Sequence, residues 1–317
     1  MEFSVYQPLL GKYVSKLCYG TLTIGPLQRN YEVSFGALLM EKAVGMGINF
    51  FDTAEIYDNY GFFKALLEKV PREKVVIATK SYAYDAVTAR ESLDKALREM
   101  GTDYIDIFLL HEQESIHTLR GHGEAIEFFQ RAKARGQIRG FGISTHHNAA
   151  LEGALKTPGI DVVMAITNAK GLGIADGTMA QSIPLLKALK ARGTLIYGMK
   201  PLGGGHLIAS YDEAMAYALG LEFIDSVAVG MQSEAEITAN VMTARGLAVP
   251  EDVRRRIDET ERRLLIHDWC TGCGACISRC HQKALRLEKG KAVVDASKCL
   301  ICGYCAGVCP HMCIKVI

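Results

Sequence analysis

The hydrophobic positions of this chain form short continuous runs that alternate with longer amphipathic segments. A first apolar run covers residues 17–20, and a helical pattern follows from about 31 to 44. The later apolar runs predict strands at 48–52, 75–80, 105–110, 138–143, 161–165, 194–198 and 225–229. The segments that follow them predict helices at 61–69, 87–100, 122–135, 147–156, 179–191, 211–219 and 234–244.

This alternation predicts an α/β fold of eight strand and helix pairs. The strands are apolar along their whole length, as parallel strands are when helices cover both faces. Eight pairs within residues 1–245 favour a closed (β/α)8 TIM barrel over an open sheet. We expect a helical linker at 246–268, with its helix over 251–265, and a small domain at 269–317.

Charge and composition narrow the class of protein. The chain has 36 basic and 35 acidic residues and a net charge of +1, so we expect neither a nucleic-acid nor a membrane partner. No apolar run has the length needed to span a bilayer, and the amino terminus lacks the order of a signal peptide. We therefore expect a cytoplasmic protein, whose ten cysteines would be thiols or metal ligands.

A cysteine repeat marks the predicted small domain. The pattern Cys-x2-Cys-x2-Cys-x3-Cys covers residues 270–280 and recurs at 299–309. In two-cluster ferredoxins such runs bind 4Fe-4S clusters, and the fourth cysteine of each run ligates the other cluster. The predicted ligand sets are Cys270, Cys273, Cys276 and Cys309 for one cluster, and Cys280, Cys299, Cys302 and Cys305 for the other. Paired structural zinc is the alternative, and we interpret Cys18 and Cys313 as packing residues.

Polar residues end three successive predicted strands. Asp52, Lys80 and His111 follow these strands, and Tyr57 lies five residues after the aspartate. An ionised Asp is rarely buried alone, so we expect Lys80 to be its partner. This arrangement resembles the aldo-keto reductase family, whose Asp, Tyr, Lys and His tetrad occupies these contexts. The resemblance covers about residues 1–245 and implies a nicotinamide-dependent oxidoreductase acting on a small carbonyl or alcohol.

The tetrad predicts acid–base chemistry. A free phenol holds its proton tightly, and an adjacent ammonium favours the phenolate. We therefore expect Lys80 to lower the pKa of Tyr57, the general acid or base, while Asp52 anchors Lys80. His111 would form a hydrogen bond with the substrate oxygen.

The resemblance also implies a dinucleotide extended across the barrel mouth. The implied cofactor-binding residues are Gly20, Thr21, Asp52, Ser144, Asn168, Met199, Lys200, Leu202, Gly203, Gly230, Gln232, Ser233, Glu236 and Asn240. Thr145 and Met164 depart from the Asn and Gln common in the family. We predict a Ser233–Glu236 capping box. NADPH users of the family tend to carry basic residues in this segment, and residues 230–236 contain none, so we doubt an NADPH preference and interpret the segment as more suited to NADH.

The predicted barrel and the predicted cluster domain transfer different numbers of electrons at a time. Clusters transfer single electrons and nicotinamide transfers a hydride, so a flavin at the barrel mouth is one way to couple them. The first hypothesis is a cytoplasmic oxidoreductase that exchanges electrons with a ferredoxin or other redox protein. The alternative is an electron-transfer or scaffold subunit whose barrel binds a cofactor without turnover. In a third interpretation the clusters only hold a small domain together. The sequence does not identify the substrate.

Overall fold

The structure is a computed structural model that describes residues 3–260 and 262–317. Its strands are β1 Ser4–Gln7, β2 Lys12–Ser15, β3 Leu17–Gly20, β4 Phe50–Asp52, β5 Val76–Ser81, β6 Ile105–Leu110, β7 Ile138–Thr145, β8 Val162–Ile166, β9 Leu195–Met199, β10 Ser226–Gly230, β11 Leu264–Ile266, β12 Leu285–Glu288, β13 Lys291–Val294 and β14 Ile314–Val316. Its helices are α1 Val33–Gly45, α2 Tyr60–Leu67, α3 Ala86–Met100, α4 Ile116–Gly121, α5 Gly123–Ala134, α6 Asn148–Lys156, α7 Met179–Ala191, α8 Tyr211–Leu219, α9 Glu234–Ala244, α10 Glu251–Asp258, α11 Ala275–Arg279 and α12 Tyr304–Gly307.

Strands β3 to β10 form a closed parallel barrel, in which β10 pairs with both β3 and β9. Each predicted barrel strand is present, with ends within two residues of those expected. The predicted (β/α)8 fold is therefore confirmed. Because the strands are parallel, their carboxyl ends meet at one face of the barrel, called here the barrel mouth.

The barrel has two apolar layers. Inward-facing side chains such as Phe50 and Tyr197 fill its centre, and their rings lie 5.1 Å apart. A larger layer lies between the strands and the surrounding helices. At the end opposite the mouth, the β1–β2 hairpin contributes Leu10 and Val14 to the central layer. The centre of the barrel is thus filled by apolar side chains below the mouth.

The linker departs from the sequence prediction. The helix expected over 251–265 ends at Asp258, and β11 follows it and pairs antiparallel with β14. Leu264 and Ile314 both belong to the apolar core of the small domain. Leu264 and Leu265, expected to continue the apolar stripe of this helix, instead pair with the end of the chain, where the side chain of Leu264 is buried.

The small domain repeats its local structure. Helices α11 and α12 begin after Gly274 and Gly303, whose φ values are 80° and 74°. A side chain is disfavoured in this left-handed conformation, so glycine suits both turns. The hairpin β12–β13 and the pair β11–β14 complete the α+β domain. Among the described residues, no helix has the length and apolar character needed to cross a membrane.

Candidate active site and cysteine cavities

A buried ion pair lies at the barrel mouth. Lys80 Nζ donates hydrogen bonds to the two carboxylate oxygens of Asp52 at 2.7 and 2.9 Å, and to the Thr53 carbonyl at 2.7 Å. Asp52 is 4% exposed and Lys80 is 2% exposed. Charges this deeply buried are tolerated when they are paired and hydrogen-bonded. The predicted partnership of Asp52 and Lys80 is confirmed.

Tyr57 and His111 lie beside this pair. Lys80 Nζ is 5.1 Å from the centre of the Tyr57 ring, and the rings of Tyr57 and His111 are 6.0 Å apart, edge to face. Tyr57 follows β4 in a short helical turn, Glu55–Tyr57, and His111 directly follows β6. The fold thus brings the four residues together from three neighbouring strand ends.

The expected direction of the Tyr57 pKa is wrong. Burial raises the pKa of this phenol well above its ordinary value, and the carboxylates of Asp52 and Glu112 raise it further. The Lys80 ammonium is directed at Asp52 rather than at the phenol oxygen. Tyr57 therefore stays protonated at neutral pH in this structure.

His111 is buried and neutral. Burial lowers its pKa well below the ordinary value, and the cations Lys80 and Lys200 add to this effect. Its ring stacks on Tyr82 at 4.6 Å. Within the described part of the chain, His111 Nδ1 has no hydrogen-bond partner. An unsatisfied buried nitrogen beside a phenol is suited to bind a polar atom of a ligand.

Two tyrosines complete the mouth, and sequence reasoning missed both. Tyr197 donates a 2.9 Å hydrogen bond to Asp52 Oδ1 from the far side of the barrel. Tyr82, stacked on His111, donates a 2.5 Å hydrogen bond to Glu112. Tyr197 points inward from β9. Its hydroxyl within an otherwise apolar strand is the sequence feature that could have indicated a buried polar contact.

The residues implied to bind a cofactor lie at or near the mouth. Gly20 and Gly230 end β3 and β10 and pair in register, and Met199 ends β9. Thr21 Oγ1 donates to the Asp52 carbonyl at 2.9 Å. Ser144 is the second-last residue of β7. The others lie in strand-end loops or on α9 and its cap; they are Asn168, Lys200, Leu202, Gly203, Gln232, Ser233, Glu236 and Asn240.

Several of these side chains already have internal partners. Asn168 donates to the Leu172 and Lys200 carbonyls and accepts from the Leu172 amide. Ser144 Oγ accepts from the Glu112 amide at 2.9 Å. These bonds fix the strand-end loops. Ligand contacts by Asn168 and Ser144 stay a prediction.

The cap of α9 differs from the predicted box. Ser233 Oγ accepts from the Glu236 amide as expected, whereas Glu236 accepts from the Gln232 amide at 2.7 Å. Burial raises the pKa of Glu236, while Arg262 and Arg29 act in the opposite direction. Arg29 and Arg262, which come from distant segments, thus act on residues 230–236, a segment that contains no basic side chain. The expected preference for NADH stays a prediction.

The paired cysteine runs line two cavities. One cavity is lined by Cys270, Cys273, Cys276 and Cys309 among other residues, and the second by Cys280, Cys299, Cys302 and Cys305. Each cavity thus takes three sulfurs from one run and the fourth from the other. Within the described residues, no three His, Cys, Asp or Glu side chains surround a point that suits a single metal ion. Four thiols around a cavity are the donor set of a 4Fe-4S cluster.

Cys313 lies at the first cavity as a fifth sulfur. Its Sγ is 3.3 Å from that of Cys309, and its side chain is buried. The equivalent position in the first cysteine run is Ala284, whose amide donates to Cys280 Sγ at 3.3 Å. The two cavities therefore differ in the polar group beside the fourth cysteine.

Comparison with known proteins agrees with this geometry. The aldo/keto reductase family model matches residues 16–215, and a 4Fe-4S dicluster domain model matches residues 264–310. The chain is similar to the L-galactose dehydrogenase of Arabidopsis thaliana, with 26% identity over 73% of this chain and 84% of the relative. It is also similar to the methylglyoxal reductase YeaE of Escherichia coli, with 30% identity over 42% of this chain and 45% of the relative.

A solved structure supports the fold. The aldo-keto reductase AKR11C1 from Bacillus halodurans superposes with a TM-score of 0.65 and 21% identity, covering 81% of this chain and 95% of the other. With the tetrad residues gathered at the mouth and cysteines lining two cavities, these matches lead to one conclusion. The chain belongs to the aldo/keto reductase family and carries a C-terminal 4Fe-4S dicluster domain.

Proposed function

We propose that this protein interconverts a small carbonyl compound and its alcohol with a nicotinamide cofactor, and that it exchanges electrons through two 4Fe-4S clusters. One observation carries the catalytic part. The rings of Tyr57 and His111 lie 6.0 Å apart beside the buried Asp52–Lys80 pair, and His111 Nδ1 has no hydrogen-bond partner among the described residues. Two hydrogen-bonding groups at one site are what a carbonyl oxygen needs for polarisation and protonation.

Tyr57 acts as the general acid in the reducing direction. Its raised pKa keeps the hydroxyl proton in place until the substrate oxygen becomes an alkoxide, which is a stronger base than a phenolate. A nicotinamide held at the mouth would supply a hydride to the carbonyl carbon. The Tyr57 proton then moves to the oxygen, and the Lys80 ammonium stabilises the resulting phenolate. His111, being neutral, orients the carbonyl oxygen through a hydrogen bond.

The cofactor site is proposed at the strand-end loops that hold Lys200 and at the amino terminus of α9. Lys200 is suited to the charge of a pyrophosphate, and a helix amino terminus favours an anion. The carboxylate of Glu236 favours binding of a ribose diol and hence of NADH. The nearby Arg262 favours binding of the 2′-phosphate of NADPH. The ratio of kcat/KM with NADH and NADPH decides between them.

The cysteine cavities support two clusters with the ligand sets predicted above. Such clusters supply one-electron transfer, and a ferredoxin or a similar carrier is the proposed partner. The similarity to an L-galactose dehydrogenase and to a methylglyoxal reductase supports a small carbonyl or alcohol as substrate. A flavin is a further candidate for coupling the two kinds of electron transfer.

The decisive experiment replaces Tyr57 by Phe in protein that carries its clusters. We expect kcat for methylglyoxal reduction with NADH or NADPH to fall by about 10²-fold or more, because the general acid is lost. The exposed Tyr13→Phe is the control and should behave as wild type. Iron content and visible absorbance show whether the clusters remain in both variants.

A scaffold role is the second candidate. Its supporting observation is the direction of the Tyr57 pKa, which is opposite to the expected activation. In that case the barrel binds a cofactor without turnover, and Tyr57→Phe leaves every redox activity of the protein unchanged. That result would refute the proposed acid–base role.

A further inference from the structure

The cluster domain reaches into the barrel mouth through its last segment. A Cβ atom on Gly204 would lie 3.0 Å from both Met312 Cε and Lys315 Nζ. A Cβ on Gly173 would likewise lie 3.0 Å from Met312 Sδ. Gly173 and Gly204 belong to the loops that follow β8 and β9. Lys315, although part of β14, is therefore a side chain of the barrel mouth.

A second lysine lies in the same place. Lys200 follows β9 directly with a φ of 54°, and its carbonyl accepts a 3.2 Å hydrogen bond from Asn168. Its Nζ lies 2.9 Å from His146 Nε2. Burial lowers the pKa of His146 to about 3, so the imidazole is neutral and can accept this bond. The backbone conformation and the two bonds hold the Lys200 amine inside the mouth.

The two amines lack matching negative charge. Burial lowers the pKa of Lys200 to about 8, and it also lowers the pKa of Lys315. Lys315 repels Lys200 and lowers its pKa further. Among the described residues neither lysine forms an ion pair within 4 Å.

The one carboxylate that acts on Lys200 is engaged elsewhere. Glu112 lies 3.6 Å from His146 Nδ1 and accepts the Tyr82 hydroxyl hydrogen bond. Half-buried amines without a counter-charge are costly to keep ionised. The arrangement is stabilised when an anion enters the mouth between them.

We propose that Lys200 and Lys315 jointly bind an anionic group, a phosphate or a carboxylate, on a ligand of the barrel mouth, so that the cluster domain supplies half of the site. The proposal rests on the function proposed above, since the ligand is either the dinucleotide or the carbonyl substrate. Lys200 Nζ lies 2.9 Å from His146, and His146 lies 3.6 Å from Glu112, which directly follows His111, so the anion would lie near the reacting carbonyl. An acidic substrate would therefore carry its carboxylate or phosphate a short distance from the carbonyl.

The test measures binding to cluster-loaded protein by calorimetry. The probes are inorganic pyrophosphate, NADH, NADPH and the 2-oxo acid glyoxylate, with uncharged methylglyoxal for comparison. Lys315→Gln removes the charge, and Lys315→Arg keeps it. Lys298→Gln, an exposed lysine of the same domain, is the matched control. We expect Lys315→Gln to weaken pyrophosphate binding at least fivefold, while Lys315→Arg and Lys298→Gln stay within twofold of wild type.

The other probes show whether the anionic group belongs to the cofactor or to the substrate. Weaker binding of NADH and NADPH in Lys315→Gln assigns the anion to the cofactor, and weaker binding of glyoxylate alone assigns it to the substrate. Equal affinities of wild type and Lys315→Gln for all charged probes overturn the proposal. If Lys315→Gln does not retain its clusters, the test uses wild-type protein alone. The proposal is then overturned if the wild-type protein binds no charged probe more tightly than methylglyoxal. Tyr57→Phe should bind pyrophosphate normally, so loss of turnover is distinguishable from loss of this site.

Discussion

Tyr197 and Asp52 are joined through the barrel interior by a 2.9 Å hydrogen bond that sequence spacing does not reveal. Tyr197 lies on β9 and Asp52 lies on β4, and these two strands are not neighbours in the barrel. The tyrosine hydroxyl therefore positions the carboxylate that holds Lys80. Tyr197 is a positioning residue in the proposed site.

We predict that Tyr197→Phe destabilises the protein and slows turnover moderately. Loss of a buried hydrogen bond to a charged group costs about 1.5–3 kcal/mol. We expect a kcat several-fold lower, with little change in KM, because Asp52 and Lys80 become less well fixed. The control is Tyr60→Phe, which removes a buried 2.8 Å bond to Thr79 outside the proposed site. Urea denaturation and steady-state kinetics measure both; equal effects of the two variants on kcat would contradict the positioning role.

Lys80→Met should be strongly destabilising. It leaves the Asp52 carboxylate buried without its cation, which costs about 3–5 kcal/mol for a buried pair. Adding Asp52→Asn to the same chain should restore part of this loss, since the uncompensated charge is then removed. Thermal unfolding of the two variants is the measurement. A double variant no more stable than Lys80→Met would show that the pair contributes by packing rather than by charge.

The buried histidines predict a loss of stability in mild acid. The folded-state pKa values of His111 and His146 lie below the ordinary value of 6.5, and that of His146 is about 3. Below pH 6.5 these two histidines become protonated in the unfolded chain but stay neutral in the native state. The free energy of unfolding therefore falls as the pH falls. The slope approaches about 1.4 kcal/mol per pH unit for each histidine.

This pH dependence is tested by comparing unfolding midpoints at pH 7.5 and 5.5. We expect His111→Gln to lose less stability over this interval than wild type does. The exposed His117→Gln should match wild type. An identical acid response in His111→Gln and wild type would refute the buried neutral state of His111.

The cysteine cavities predict separable loss of iron. Cys273→Ala should lose the cluster of the first cavity, and Cys302→Ala the cluster of the second. Each variant should keep about half of the iron and of the visible absorbance, because the two ligand sets are disjoint. Buried Cys18, in the barrel, is the control.

Cys313→Ala has its own expected outcome. It should keep full iron content while changing the electron paramagnetic resonance spectrum of one reduced cluster, because its sulfur lies 3.3 Å from Cys309 Sγ. Loss of half the iron in this variant would instead make Cys313 a ligand. The measurement is made beside Cys18→Ala under the same anaerobic conditions.

Much of the architecture could be read from the chain. The apolar strands and amphipathic helices repeat eight times, and each strand is short enough to be recognised by its continuous hydrophobicity. Asp52, Lys80 and His111 lie at strand ends, and parallel strands present their carboxyl ends on one face, so their meeting was predictable. The cysteine spacing also predicted which sulfurs share a cavity. These features depend on local periodicity and on spacing within single motifs.

The remaining features depend on contacts between segments that are distant in the sequence. The helix expected through residue 265 ends early because β11 is stabilised by β14, which lies at the far end of the chain. The direction of the Tyr57 pKa depends on burial, which the sequence does not specify. Tyr197 and Lys315 reach the mouth from distant segments. The sequence determines which elements form, whereas desolvation and contacts between remote segments arise only when the chain is closed into a barrel and its last domain is packed against the mouth.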